Sequence, residues 1–108
     1  MKTEVIYFPR ELVVCRIKEL GPSAWMLFSV VLERTYGKCR VSAEISIQEF
    51  LDETTLTEKQ IQKALDKLYG ADIPVRIYAG ANAGTFLFSF DAAVREGILP
   101  APMPKEYL

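Results

Sequence analysis

The sequence predicts an α+β domain, and three observations point to it. Two short helical patterns stand a few residues apart in ISIQEFLDETTLTEKQIQKALDKL, Ile45 to Leu68, each with its own start signal. A longer apolar helical run, AWMLFSVVLER, precedes them. Two β-rich segments, IPVRIY and TFLFSF, follow them around the glycine-containing AGANAG. The chain has 108 residues, enough for one modest core and too few for two independent ones. Half of the residues are apolar and a quarter are charged, the balance of a folded chain.

In chain order, KTEVIYFPREL reads as an extended arm, and Pro9 suits the first position of a short helix carrying Leu12, Val13 and Ile17. A break at ELGPSAW precedes the main helix, which places Ala24, Leu27, Phe28 and Val31 on one face and ends with Gly37 as its C-terminal glycine. Trp25, Met26 and Val30 add a second apolar face, so this helix is expected to be central, or covered by the N-terminal segment or another protomer. In VSAEIS, Val41, Ala43 and Ile45 alternate with Ser42, Glu44 and Ser46, the pattern of a half-buried strand.

Ser46 with Glu49, and Thr57 with Gln60, each fit a capping box, in which the two side chains satisfy backbone amides at a helix start. The first of these helices is expected to bury Ile47, Phe50 and Leu51. The second is expected to bury Ile61, Ala64, Leu65 and Leu68, a single apolar stripe. In the hairpin, Gly80, Asn82 and Gly84 supply the permissive backbone of the loop. Phe86, Phe88 and Phe90 share one strand face, which reads as core, while Leu87 on the other face leaves open a partner surface. The segment DAAVREGILPAPMPKEYL has room for one helical turn before Pro100, Pro102 and Pro104 interrupt regular structure. The expected organisation is a domain over residues 1–92 and a proline-rich tail or linker over 93–108.

Helix, short strand, helix, tight turn, helix and hairpin is the order of a winged helix-turn-helix, in which a β-hairpin wing follows the recognition helix. With YFPREL, LGPSAWMLFSVVLER and ISIQEFLDETTLTEKQIQKALDKL in place, the chain resembles the N-terminal winged helix domains of plasmid and phage replication initiators, of the RepA-N and DnaD-like kind. The resemblance covers most of residues 5–90. It implies binding of duplex DNA at an origin or operator in replication initiation or transcription control, through the helix that starts after Thr57. Thr55 stands where such turns often carry glycine.

On that helix Thr57, Lys59, Gln60, Gln62, Lys63 and Lys67 are the candidate DNA-binding residues, because glutamine reads adenine while lysine meets guanine or phosphate. The alternative is a solvated helix face, with Glu58 and Asp66 offsetting two of the three lysines. Arg76 and Asn82, with Tyr78, are the candidates for a wing contact, weighed against a plain hairpin because AGANAG carries no charge. Lys38 and Arg40 form a further basic pair in what reads as a solvated turn. The net charge of -1 gives no global attraction to nucleic acid, so any DNA contact must come from a local patch.

Other classes find little footing. There is no histidine for acid-base chemistry, no glycine-rich phosphate loop, and Asp52 and Glu53 sit at a helix end, so no enzyme, small-molecule substrate, cofactor or metal is expected. Cys15 and Cys39 are the only cysteines and suit inert thiols in a reducing cytoplasm. Ala24 to Leu32, the longest apolar stretch, is far below the roughly 20 residues of a membrane span. The second reading of the chain is a winged helix used for protein interaction or homodimerisation without nucleic acid.

Overall fold

The computed structural model describes residues 17–70 and 73–102. The expected N-terminal arm, the helix start at Pro9, Cys15, the YFPREL motif and Pro104 lie outside the described residues. The described chain is α+β, with helices packed on one face of a three-stranded antiparallel sheet.

Helix α1 spans Ile17–Arg34 and is interrupted at Gly21, whose φ of 77° and ψ of 169° are not helical. Pro22 follows, and its fixed φ and missing amide suit the first turn of the restarted helix. This is the break expected at ELGPSAW. Ala24, Leu27, Phe28 and Val31 are buried as the spacing requires, and Val30 and Leu32 are buried beside them. The end of α1 differs from expectation. Gly37 lies inside a 3-10 turn, Tyr36–Lys38, and the left-handed residue is Cys39, at φ 56°. The cause is Thr35, fully buried, whose hydroxyl donates to the Val31 carbonyl at 2.8 Å while its own carbonyl accepts from Lys38 and Arg40. Tightening around Thr35 moves the reversal two residues beyond the glycine.

Strand β1, Ser42–Ser46, leads directly into α2, Ile47–Glu53. A tight turn then connects to α3, Glu58–Gly70. Strands β2, Arg76–Ala79, and β3, Thr85–Ser89, form the hairpin, and the sheet order is β1-β3-β2. The register pairs Ala43 and Ile77 with Phe88, and Ile45 and Ala79 with Phe86. This inner face meets the helices through rings packed edge to face: Phe50 with Phe88 at 5.8 Å and Phe28 with Phe90 at 6.2 Å. Phe88 and Phe90 are therefore core, as their alternation predicts, while Phe86 is half-buried. Glu44, Leu87, Tyr78 and Arg76 occupy the outer face.

The packed unit continues past residue 92. A short helix α4, Asp91–Arg95, buries Ala93, Leu99 reaches the core at 3% exposure, and the Tyr36 hydroxyl donates to the Pro100 carbonyl at 2.8 Å. Ala93 and Leu99, with the half-buried Val94, thus pack against the core beyond the boundary expected at residue 92, while residues 95–98 between them are exposed.

Candidate nucleic-acid interface

The turn between α2 and α3 is closed by threonines. Thr54 ends α2 in an extended conformation, and its amide and hydroxyl both donate to the Phe50 carbonyl, at 3.0 and 2.6 Å. The Leu56 amide donates to Thr54 Oγ1 at 3.3 Å, and the half-buried Leu56 packs against the core. No residue of this turn has a positive φ, so glycine is not required where Thr55 stands.

Both capping boxes are formed. At α2 the Ser46 amide donates to Glu49 Oε2 at 2.8 Å and the Glu49 amide to Ser46 Oγ at 3.1 Å. At α3 the Thr57 amide donates to Gln60 Oε1 at 2.9 Å and the Gln60 amide to Thr57 Oγ1 at 3.2 Å. Of the two short helices, α2 buries Phe50 fully, with Ile47 and Leu51 half-buried. Helix α3 buries all four residues of its stripe, Ile61, Ala64, Leu65 and Leu68, and packs mainly against α1.

With that stripe docked, 3.6 residues per turn decide where each candidate points. Lys59, Lys63 and Asp66 occupy the outward line, one per turn. Gln60, Lys63 and Lys67 line a groove of about 310 Å³ shared with Gly21, Pro22 and Ser23 of α1. Gln62 points to the opposite flank, into a groove of about 320 Å³ bounded by Tyr69, Ile77, Ala79 and Phe86. Lys59, Gln62 and Lys63 are all exposed on the N-terminal half of α3, Gln62 toward one flank and Lys63 toward the other, and none of Lys59, Lys63 and Lys67 forms an ion pair among the described residues. Thr57 and Gln60 are also exposed, but the polar atoms named above are committed to the cap. Lys67 lies back toward α1, its Nζ 3.1 Å from the position a Cβ on Gly21 would take.

The hairpin does not bring its two candidates together. Arg76 is at the base of β2, paired with Ser89, and Asn82 is in the loop two residues past Gly80, which itself stands roughly 13 Å along the strand from Arg76 at about 3.3 Å per residue. The loop is shaped internally: the Asn82 carbonyl accepts from the Thr85 amide at 3.2 Å and the Thr85 hydroxyl at 2.6 Å. Of the three permissive residues expected, only Gly84 uses a positive φ, 76°. Gly80 is needed for space, because a Cβ there would meet Thr85 Oγ1, the Thr85 backbone and the Glu44 carboxylate. Two contacts hold the loop to the domain. The Ala81 amide donates to Glu44 Oε1 at 3.1 Å, and the Ile47 amide donates to the Gly84 carbonyl at 2.9 Å. Glu44 therefore sets a carboxylate against an uncharged loop. Sequence pattern alone placed it only on an outward strand face, since the contact depends on pairing across β1 and β3.

Lys38 and Arg40 are exposed after α1 and line neither groove beside α3. Among the described residues no cluster of histidine, cysteine, aspartate or glutamate could hold a metal ion, and no helix is long and apolar enough to cross a membrane. No family model, curated protein or solved structure matches the chain.

Proposed function

We propose that the domain is a winged helix-turn-helix that binds duplex DNA, with α2 and α3 as the helix-turn-helix, α3 as the recognition helix and the β2–β3 hairpin as the wing. The supporting observation is the N-terminal half of α3: Lys59, Gln62 and Lys63 are exposed, and no ion pair among the described residues engages either lysine, on a helix whose other side is fixed in the core. A recognition helix uses its N-terminal residues on base edges and its later residues on the backbone. Lys59, Gln62 and Lys63 are then the base-reading residues, Lys67 is a phosphate contact, and Thr57 and Gln60 hold the helix start. The resemblance to plasmid and phage replication initiators suggests an origin or operator as the target.

Alanine substitution tests this assignment. Gln62→Ala or Lys63→Ala weakens a selected site by roughly 1 to 3 kcal/mol and relaxes preference at one base position, whereas Lys67→Ala weakens all sequences alike. Equal behaviour of the three variants on selected and random duplexes overturns the assignment.

A second reading, a winged helix that docks a protein, draws on a different observation. The wing loop carries no cation and has the Glu44 carboxylate against it, so it is poorly made for phosphate. Under that reading duplex DNA does not bind at all.

A further inference from the structure

Among the described residues strand β2 pairs only with β3 and lies at the edge of the sheet. Gly80 donates to the Thr85 carbonyl at 2.9 Å, which fixes the ladder parity: Arg76, Tyr78 and Gly80 turn their amides and carbonyls toward β3. Ile77 and Ala79 turn theirs outward, to the free edge. That edge borders the groove lined by Tyr69, Gln62 and Phe86, and the two tyrosines flanking it are open to solvent, Tyr69 at 75% and Tyr78 at 47%. An unpaired edge with aromatic neighbours is a template for another strand.

We infer that a second copy of this chain pairs there, β2 against β2 in antiparallel register with Tyr78 on the two-fold axis. In that register Ile77 of one protomer exchanges hydrogen bonds with the partner's Ala79, and the reverse, so both outward residues of each edge are satisfied. Tyr78 opposes its own copy on the outer sheet face. Arg76 falls opposite the partner's Gly80, and charge complementarity is decisive at this point. The space over Gly80 is filled by the Glu44 carboxylate, whose Oε1 lies 2.8 Å from the position of an added Cβ, on the same outer face as Arg76. Neither Arg76 nor Glu44 has an ion-pair partner among the described residues. The two-fold supplies both, forming two symmetric Arg76–Glu44 pairs across a continuous six-stranded sheet. The edge adjoins the groove into which Gln62 of α3 points, but the pairing draws on β2, Arg76 and Glu44 and stands whether or not DNA binds.

Sedimentation equilibrium of the full chain tests the pairing. The parent forms a reversible dimer in the micromolar range. Arg76→Glu alone and Glu44→Arg alone each oppose like charges twice, raising the dimer dissociation constant at least about tenfold. An equimolar mixture of the two variants restores dimerisation, because each pair in the mixed dimer again joins opposite charges. Ala79→Pro removes only an outward amide and abolishes the dimer, while circular dichroism shows the protomer folded. Should Ala79→Pro not fold, the mixing experiment decides alone. A parent that stays monomeric at high micromolar concentration, a mixture no better than its components, or a dimer unaffected by these substitutions and so formed through another face, overturns the inference.

Discussion

The Arg34 guanidinium meets the Glu49 carboxylate at 2.9 Å, joining the last turn of α1 to the first turn of α2. Its second arm reaches Glu53 at 2.6 Å, so one arginine holds both ends of the seven-residue α2. Bonds to Glu53 and then Glu49 keep the guanidinium charged well above its ordinary range, and Glu49 is held below the usual carboxylate range first by the Ser46 amide and then by Arg34. The groups are partly exposed, so the net energy is small, about 0 to 1 kcal/mol. The geometric effect is larger, because α2 sets the turn from which α3 starts.

A pH dependence follows from Glu49. Its folded value is depressed, so its contribution is complete above the ordinary value of 4.5 and is lost as pH falls through the folded value below that. Glu49→Gln keeps an oxygen for the Ser46 amide but removes the charge. Urea unfolding of the variant at neutral pH shows a loss below about 1 kcal/mol, and its stability falls less steeply than that of the parent in the acid range. Parallel acid profiles contradict this.

The apolar stripe of α3 holds the candidate face in position. Leu65 and Leu68, at 7% and 2% exposure, lie in the core against α1. Leu65→Ala is expected to destabilise the domain by roughly 2 to 5 kcal/mol. A thermal melt matching the parent removes the packing on which the orientation of Lys59 and Lys63 depends.

Thr57 separates a structural from a contacting role. Thr57→Ala loses one half of the cap and costs about 0.5 to 2 kcal/mol of stability, measured by denaturation. Thr57→Ser keeps the hydroxyl and restores it. A variant as stable as the parent shows that the capping bond contributes nothing.

Much of this was legible locally. The two capping boxes, the stripe on α3 and the break at Gly21 and Pro22 each depend on residues within a few positions of one another, where side-chain chemistry and periodicity act directly. What was not legible depends on distant partners. Cys39 takes the left-handed conformation because Thr35 is drawn into the core, and Leu99 is buried although no periodicity surrounds it. Arg34 finds carboxylates 15 and 19 residues away. In the candidate site, the exposure of Lys59, Gln62 and Lys63 follows from the stripe, but the distance of Arg76 from Asn82 and the approach of Glu44 to the loop are set by strand register.

The central claim is that the exposed face at the start of α3 binds duplex DNA, and the salt dependence of that binding tests it most directly. Titrating random duplex at low and moderate salt, the parent is expected to bind with log affinity falling linearly against log salt, at about 0.9 per neutralised phosphate, so that a few lysines give a shallow slope. A Lys59→Ala, Lys63→Ala, Lys67→Ala variant that keeps the parent melt is expected to lose most of that slope. No binding by the parent at low salt, or an unchanged slope in the folded triple variant, contradicts the claim and leaves the protein-docking reading in its place.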